Sequence, residues 1–457
     1  MNLATMSATE AAAAIRGGRI ASEELVRASL ARIGERESQV KAWTFLDPEL
    51  ALAQARAADR ARRDGRPLGA LHGVPVGIKD IFDTADMPTE NGSVLHAGRR
   101  PERDSTVVRR LREAGAVILG KTVTTEFAAY TPAATRNPRD LSRTPGGSSS
   151  GSAAAVADGM VPAALGSQTN GSVIRPAAFC GVVGYKPSYG LVSRAGALAL
   201  SRSLDQVGLF VRTVEDAALV AECLAGFDPA DPDTLPGPPP EGSGPQGGPR
   251  PELARAGRPA ESPPRLAFVR TPVWESAEDD TRRAFAGLVA ALGPAVEEAA
   301  LPPEFDGAVA AHLDIMDVDL AHNLRREYDT GRGRLSARLR QEIERGQQIL
   351  AVDYARALDL APRLNALLEP LFGRYDALLA PSAPGVAPEG LGATGNPIFC
   401  TIWTFCGTPA ITLPILEGRA GLPIGAQLIG RRGDDGRLLG VAGWLMERFA
   451  GAPVRAA

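Results

Sequence analysis

The chain has 457 residues, of which 44% are apolar and 23% charged, with 50 basic against 53 acidic side chains and a net charge of -3. That is an ordinary globular composition, long enough for about three domains by the usual prior yet compatible with one large α/β unit around a single sheet. The near balance of charge gives no reason to expect nucleic acid as a partner, and no apolar run reaches the length of a membrane span.

The N-terminus lacks a basic segment followed by an apolar core, so it does not read as a signal peptide. Ser7 and Glu10 form a capping-box pattern for a first helix, and further helices are expected over Ser22–Ile33 and Pro48–Arg63. Residues 73–82 read as a strand in which Lys79 closes the apolar run Val74–Ile78. A helix over Asp104–Ala114 and a strand at Ala116–Leu119 then give a βαβ rhythm, with Lys121 a second lysine at a strand end. Gly181–Gly184 and Val207–Val211 read as strands, and Thr213 with Asp216 starts another helix. Residues 227–264, rich in Pro and Gly, are expected to be a flexible insertion. Helical patterns dominate from Arg265 to Phe372, with one long amphipathic run over Ser336–Phe372. A strand at Asp376–Pro381, another at Ile424–Ile429 and a closing helix Leu438–Phe449 complete the chain.

Cys180, Cys223, Cys400 and Cys406 show no C-x-x-C spacing, which suits buried reduced thiols and a cytoplasmic setting. His312 and His322 share a helix pattern but lie ten apart, off the spacing of a helical metal pair, so neither a metal nor a cofactor is expected.

Chemistry concentrates in residues 144–176. Thr144-Pro-Gly-Gly-Ser-Ser-Ser-Gly-Ser152 and Gly166-Ser-Gln-Thr-Asn-Gly-Ser172 are two glycine-flanked serine loops, joined by a helix near Ser152–Asp158 and a short strand at Val161–Leu165. Glycine beside serine lets a substrate approach main-chain N–H groups, which is how donors for an oxyanion are gathered. A flexible linker would have polar flanks, and a phosphate cradle would need Gly-Lys-Ser/Thr. Gly147–Gly151 also matches the G-x-S-x-G elbow with Ser149 as nucleophile, but the Pro-containing segment before it does not read as a strand.

These residues resemble the signature of the amidase signature family. The likeness rests on Gly146-Gly-Ser148-Ser149, Gly171-Ser172, Pro176–Ser188, Gly73–Asp80, Gly407–Pro414 and Gly421–Gln427. It implies an α/β fold of one domain spanning residues 1–457, a large mixed sheet with helices on both faces. It implies a Ser-cisSer-Lys triad of Ser172 as nucleophile, Ser148 as bridge and Lys79 as base, with an oxyanion hole from the N–H groups of Thr169, Asn170, Gly171 and Ser172. Gln168-Thr-Asn-Gly-Ser-Val-Ile-Arg175 departs from the family's Asp-Thr-Gly-Gly-Ser-Ile-Arg, and the stretch looks most like small bacterial amidases of the malonamidase kind. The expected reaction is hydrolysis of a small carboxylic amide to acid and ammonia or amine. The alternative is a glutaminase-type subunit of a tRNA amidotransferase complex. The small-molecule amide is the expected partner, and a homodimer is left open. Arg175 could bind a substrate carboxylate or pair with a structural acid; Tyr130, Thr131 and Trp403 are candidate walls of the site.

Overall fold

The computed structural model describes residues 3–235, 253, 263–419, 421–451 and 453–455. Among them twelve strands form one mixed sheet. In chain order these are β1 (Trp43–Leu46), β2 (Pro75–Lys79), β3 (Val117–Thr122), β4 (Ala163–Gln168), β5 (Val183–Lys186), β6 (Gln206–Val211), β7 (Leu266–Val269), β8 (Val296–Ala299), β9 (Ala377–Pro381), β10 (Ala410–Glu417), β11 (Pro423–Ile429) and β12 (Val454–Arg455). Side by side they run β1-β3-β2-β4-β6-β5-β10-β11-β9-β7-β8, and β12 pairs with β10. β2 lies parallel to β3 and to β4, with Ile78 opposite Leu165, so the last residues of β2 and β4 emerge at the same edge.

Both faces of the sheet are covered, because successive residues of a strand point to opposite sides. Leu165, Leu209, Leu379 and Leu428 belong to one apolar cluster, while their neighbours Ala164, Phe210, Leu378 and Ile429 pack into clusters on the other side. Local signals fix the helices that do the covering. Ser7 Oγ accepts from Glu10 N–H at 3.1 Å and Glu10 Oε2 accepts from Ser7 N–H at 2.9 Å, so the capping box is complete. The helix Pro48–Arg63 takes proline at its first position and Asp47 as its cap.

Several expectations are corrected. The helix begun at Ser22 continues to Val40, where Lys41 ends it in the left-handed region at φ 56°, and the unexpected strand β1 follows at once. The stretch from Arg265 holds two strands, β7 and β8, which extend the sheet at one edge. The run Ser336–Phe372 is two helices, Ala337–Gly346 and Ala351–Arg374. Residues 227–235, the start of the expected flexible insertion, are held by side chains: Asp228 Oδ2 accepts from Thr106 and Ser193 Oγ at 2.6 Å, and Asp231 accepts from Arg194. The Pro/Gly-rich remainder, 236–252 and 254–262, lies outside the described residues.

The packing yields a paired prediction. Gly151 sits where a Cβ would lie 2.1 Å from the Ala42 carbonyl oxygen, whereas nothing lies within 4 Å of a Cβ at Gly34 on the exposed side of the helix Ser22–Val40. Gly151→Ala should lower the unfolding free energy by about 1–3 kcal/mol through overpacking. Gly34→Ala should raise it by about 0.5–1 kcal/mol through helix propensity. Urea unfolding checks both.

Candidate active site

The two serine loops meet Lys79 because β2 and β4 are parallel neighbours. Lys79 closes β2, Ser167 and Gln168 close β4, and the loop before the helix Ser150–Ala157 lays Ser148 across them. The Lys79 side chain is fully buried; its Nζ donates to Ser148 Oγ at 2.7 Å and to Ser167 Oγ at 2.8 Å. No carboxylate pairs with it among the described residues. Burial therefore pulls its pKa down to about 7, against a weaker opposing pull from Asp205. Lys121, which the sequence alone cannot rank below Lys79, donates instead to Thr89 Oγ1 and the carbonyls of Phe82 and Pro88, and pairs with Asp80 at 3.4 Å.

The peptide bond between Gly147 and Ser148 is cis. Ser149, the nucleophile of the elbow reading, is fully buried and occupied with backbone: its hydroxyl donates to the Ser167 carbonyl and accepts from the Ser167 N–H. Ser172 lies two residues before the helix Ile174–Cys180 and is 9% exposed. Gln168 Oε1 accepts from the N–H groups of Val173 and Ile174 at 2.8 and 3.0 Å, taking up the helix start. Among the described residues no acceptor is bonded to the backbone N–H of Thr169, Asn170, Gly171 or Ser172. Buried N–H groups are almost always paired, so four donors without a partner in one loop set it apart from the rest of the backbone.

That loop is held from every side. Thr169 Oγ1 donates to Asp205 at 2.6 Å, and His312 Nε2 donates to the Thr169 carbonyl at 2.8 Å. Burial drives the His312 pKa down to about 4, so the ring is neutral and cannot serve as a cationic group. Thr404 donates to the Asn170 carbonyl and receives Gln168 Nε2 at 2.9 Å. The Asn170 side chain is fixed at both ends, donating to Tyr130 Oη at 2.8 Å and accepting from Thr401 Oγ1 at 2.7 Å. Asp205, Thr404 and the part played by His312 had no signal in the sequence; Ser167 stood in the second serine loop without a role, and Gln168 and Asn170 stood out as departures from the family pattern.

Two expected binding residues are corrected. Arg175 is 1% exposed and faces neither a cleft nor an acid. Its guanidinium donates to the carbonyls of Gly147 and Gly395 at 2.6 and 2.7 Å, clamping the loop that carries the cis bond. Trp403 is fully buried in an apolar cluster with Phe405 and Leu378, away from any wall. The other two do line space. Tyr130 borders a cleft of about 440 Å³ that includes Asn170, and with Thr131 it borders a neighbouring one of about 320 Å³.

A lysine poised to be neutral, bonded to a serine beside a nest of bare N–H groups, is what a serine hydrolase that does without histidine requires. The Amidase family profile matches residues 24–439. The A subunit of the glutamyl-tRNA(Gln) amidotransferase of Chloroflexus aggregans (strain MD-66 / DSM 9485) is 36% identical over 95% of each chain. Its namesake from Anaeromyxobacter sp. (strain K) is 39% identical over 96% of this chain and 95% of its own. Among solved structures, the peptide amidase from Stenotrophomonas maltophilia superposes with a TM-score of 0.81 at 31% identity, covering 99% of both chains. The chain belongs to the amidase signature family, and it is an enzyme acting on C–N amide bonds.

Two outcomes are expected. With the folded pKa of Lys79 near 7 and the unfolded value at 10.5, the unfolded state binds the extra proton between those limits, so Lys79 makes the protein gain stability as the pH rises through that window. Lys79→Met lacks this gain, and the difference in unfolding free energy between variant and wild type should move in favour of the wild type from pH 7 to pH 10, as denaturant melts at several pH values will read. Arg175→Ala should reduce turnover of carboxylated and uncharged amides alike, because it loosens the Gly147 loop; a loss confined to carboxylated amides in parallel kinetic assays would show an anion receptor instead.

Proposed function

We propose that the chain hydrolyses a carboxylic amide through an acyl-serine intermediate, with Ser172 as nucleophile, Ser148 as proton relay and Lys79 as base. The observation that carries this is the hydrogen bond from buried, carboxylate-free Lys79 to Ser148, next to four unpaired backbone N–H groups. A serine hydroxyl needs a base to attack at neutral pH, and a lysine serves once burial has brought its pKa near the working range. Ser172 Oγ attacks the carbonyl carbon while its proton passes through Ser148 to Lys79. The oxyanion is held by the N–H groups of residues 169–172, and the carbon–nitrogen bond breaks as the proton returns through Ser148 to the departing nitrogen. Water then cleaves the acyl ester by the same relay.

The curated relatives favour a particular setting for this chemistry over a free-standing hydrolase of small amides: the chain as the amidase component of a tRNA amidotransferase complex, releasing ammonia from glutamine beside partner subunits. Ammonia release from glutamine and from a panel of small amides, with and without co-expressed partner subunits, separates the two. Turnover of small amides by the chain alone supports the hydrolase, and glutamine turnover only in the complex supports the amidotransferase setting. In either setting Lys79→Ala, Ser148→Ala and Ser172→Ala should each lose roughly a thousandfold or more in kcat. The wild-type rate should rise with pH through about 7 as Lys79 loses its proton. An active Lys79→Ala enzyme would overturn the mechanism.

A further inference from the structure

The cleft beside Asn170 holds charges that the reaction above leaves unused. Much of its wall is apolar, from Val309, Leu313 and Met316 on one helix to Pro397 and Ile398 opposite. Tyr130, Asn170 and other uncharged polar side chains share the rest with two acids and two arginines, and these charges are not placed alike: the side chains of Asp317 and Glu342 are 2% and 14% exposed, those of Arg345 and Arg338 49% and 63%. The acids face inward and the arginines face water. Arg345 is taken up by Asp317 and the Leu313 carbonyl. Arg338 gives Glu342 only its Nε, which donates to Oε1 at 3.0 Å, while its guanidinium lies 5.0 Å over the Tyr130 ring.

The second Glu342 oxygen, Oε2, is buried and has no hydrogen-bond partner. A carboxylate oxygen removed from water without a donor is costly, and the cost is recovered when a charged donor arrives. Burial keeps the Glu342 pKa up at about 7, against the pull of Arg338 and Arg345 and with help from Asp317. The anion receptor expected at Arg175 is turned away from the cleft.

We propose that this cleft selects amides bearing a positively charged group, an ammonium joined to the carboxamide by a short apolar spacer, and that Glu342 is the specificity-determining residue that binds it. The spacer lies along Leu313, Met316 and Ile398, a turn of the Glu342 carboxyl group brings Oε2 out to accept from the ammonium, and the carboxamide reaches the N–H groups past Asn170. The proposal rests on the reading of residues 169–172 as the acyl site.

Its test reads binding without turnover. Straight-chain primary amides ending in an ammonium, over a series of spacer lengths, are compared by calorimetry with their uncharged alkyl counterparts on Ser172→Ala protein at mildly alkaline pH. At one spacer length the ammonium amide should bind at least about tenfold tighter than its counterpart. Adding Glu342→Gln should bring the two within about twofold of each other, and Glu342→Asp should restore part of the preference. No preference at any length, or a preference that survives Glu342→Gln, overturns the proposal. Hydrolysis by the wild type is measured separately, so its failure would count against the acyl-serine mechanism and leave the binding result standing.

Discussion

The site depends on one arrangement: an amine taken completely out of water and offered hydroxyls instead of a carboxylate. An acid beside a buried lysine opposes the effect of burial: with Asp80 at 3.4 Å, Lys121 is pulled down only to about 8. Lys79 has only Ser148 and Ser167 within bonding distance, so burial is barely opposed and its pKa falls to about 7. The parallel pairing of β2 with β4 makes this possible by placing Lys79 beside Ser167, and the sheet's double cover of helices keeps water away.

The N–H loop shows the opposite pattern: the carbonyls of Thr169, Asn170 and Gly171 and the side chains of Thr169 and Asn170 are bonded while its N–H donors are not. Gln168, Asp205, His312 and Thr404 each take up hydrogen-bonding groups of residues 169–174. The last three come from separate parts of the chain, which fixes the loop before any substrate arrives. On the proposed reading, a preorganised nest of this kind costs no reorganisation when charge develops.

Local chemistry made much of this legible. The Ser7/Glu10 box, the proline-led helix Pro48–Arg63 and the strands ending at Lys79 and Val211 each carry their signal within a few residues. The glycine-flanked serines and Lys79 were visible as types in a pattern, and the family resemblance ordered them. What was illegible depends on distance. β1 is only four residues long between two helices, and β7 and β8 are short strands at a sheet edge inside a helical stretch. The His312 contact to Thr169 joins residues 143 apart, and no spacing rule reaches that far.

Arg175 shows why residue type alone misled. An arginine three residues past Ser172 invites a substrate carboxylate, yet a guanidinium has five donors in a planar fork and serves equally well to tie carbonyls together. Here it joins Gly147 to Gly395 while Lys79 holds Ser148, so two basic side chains grip neighbouring residues of one loop. Burial presses on both pKa values, but guanidinium starts from 12.5 and amine from 10.5. The arginine keeps its charge among carbonyl oxygens and holds the loop; the lysine, among hydroxyls, can give its proton up and act on it. Exchanging the two would leave a fixed cation beside Ser148 in place of an amine that can lose its proton, so the two side chains are not interchangeable in this fold.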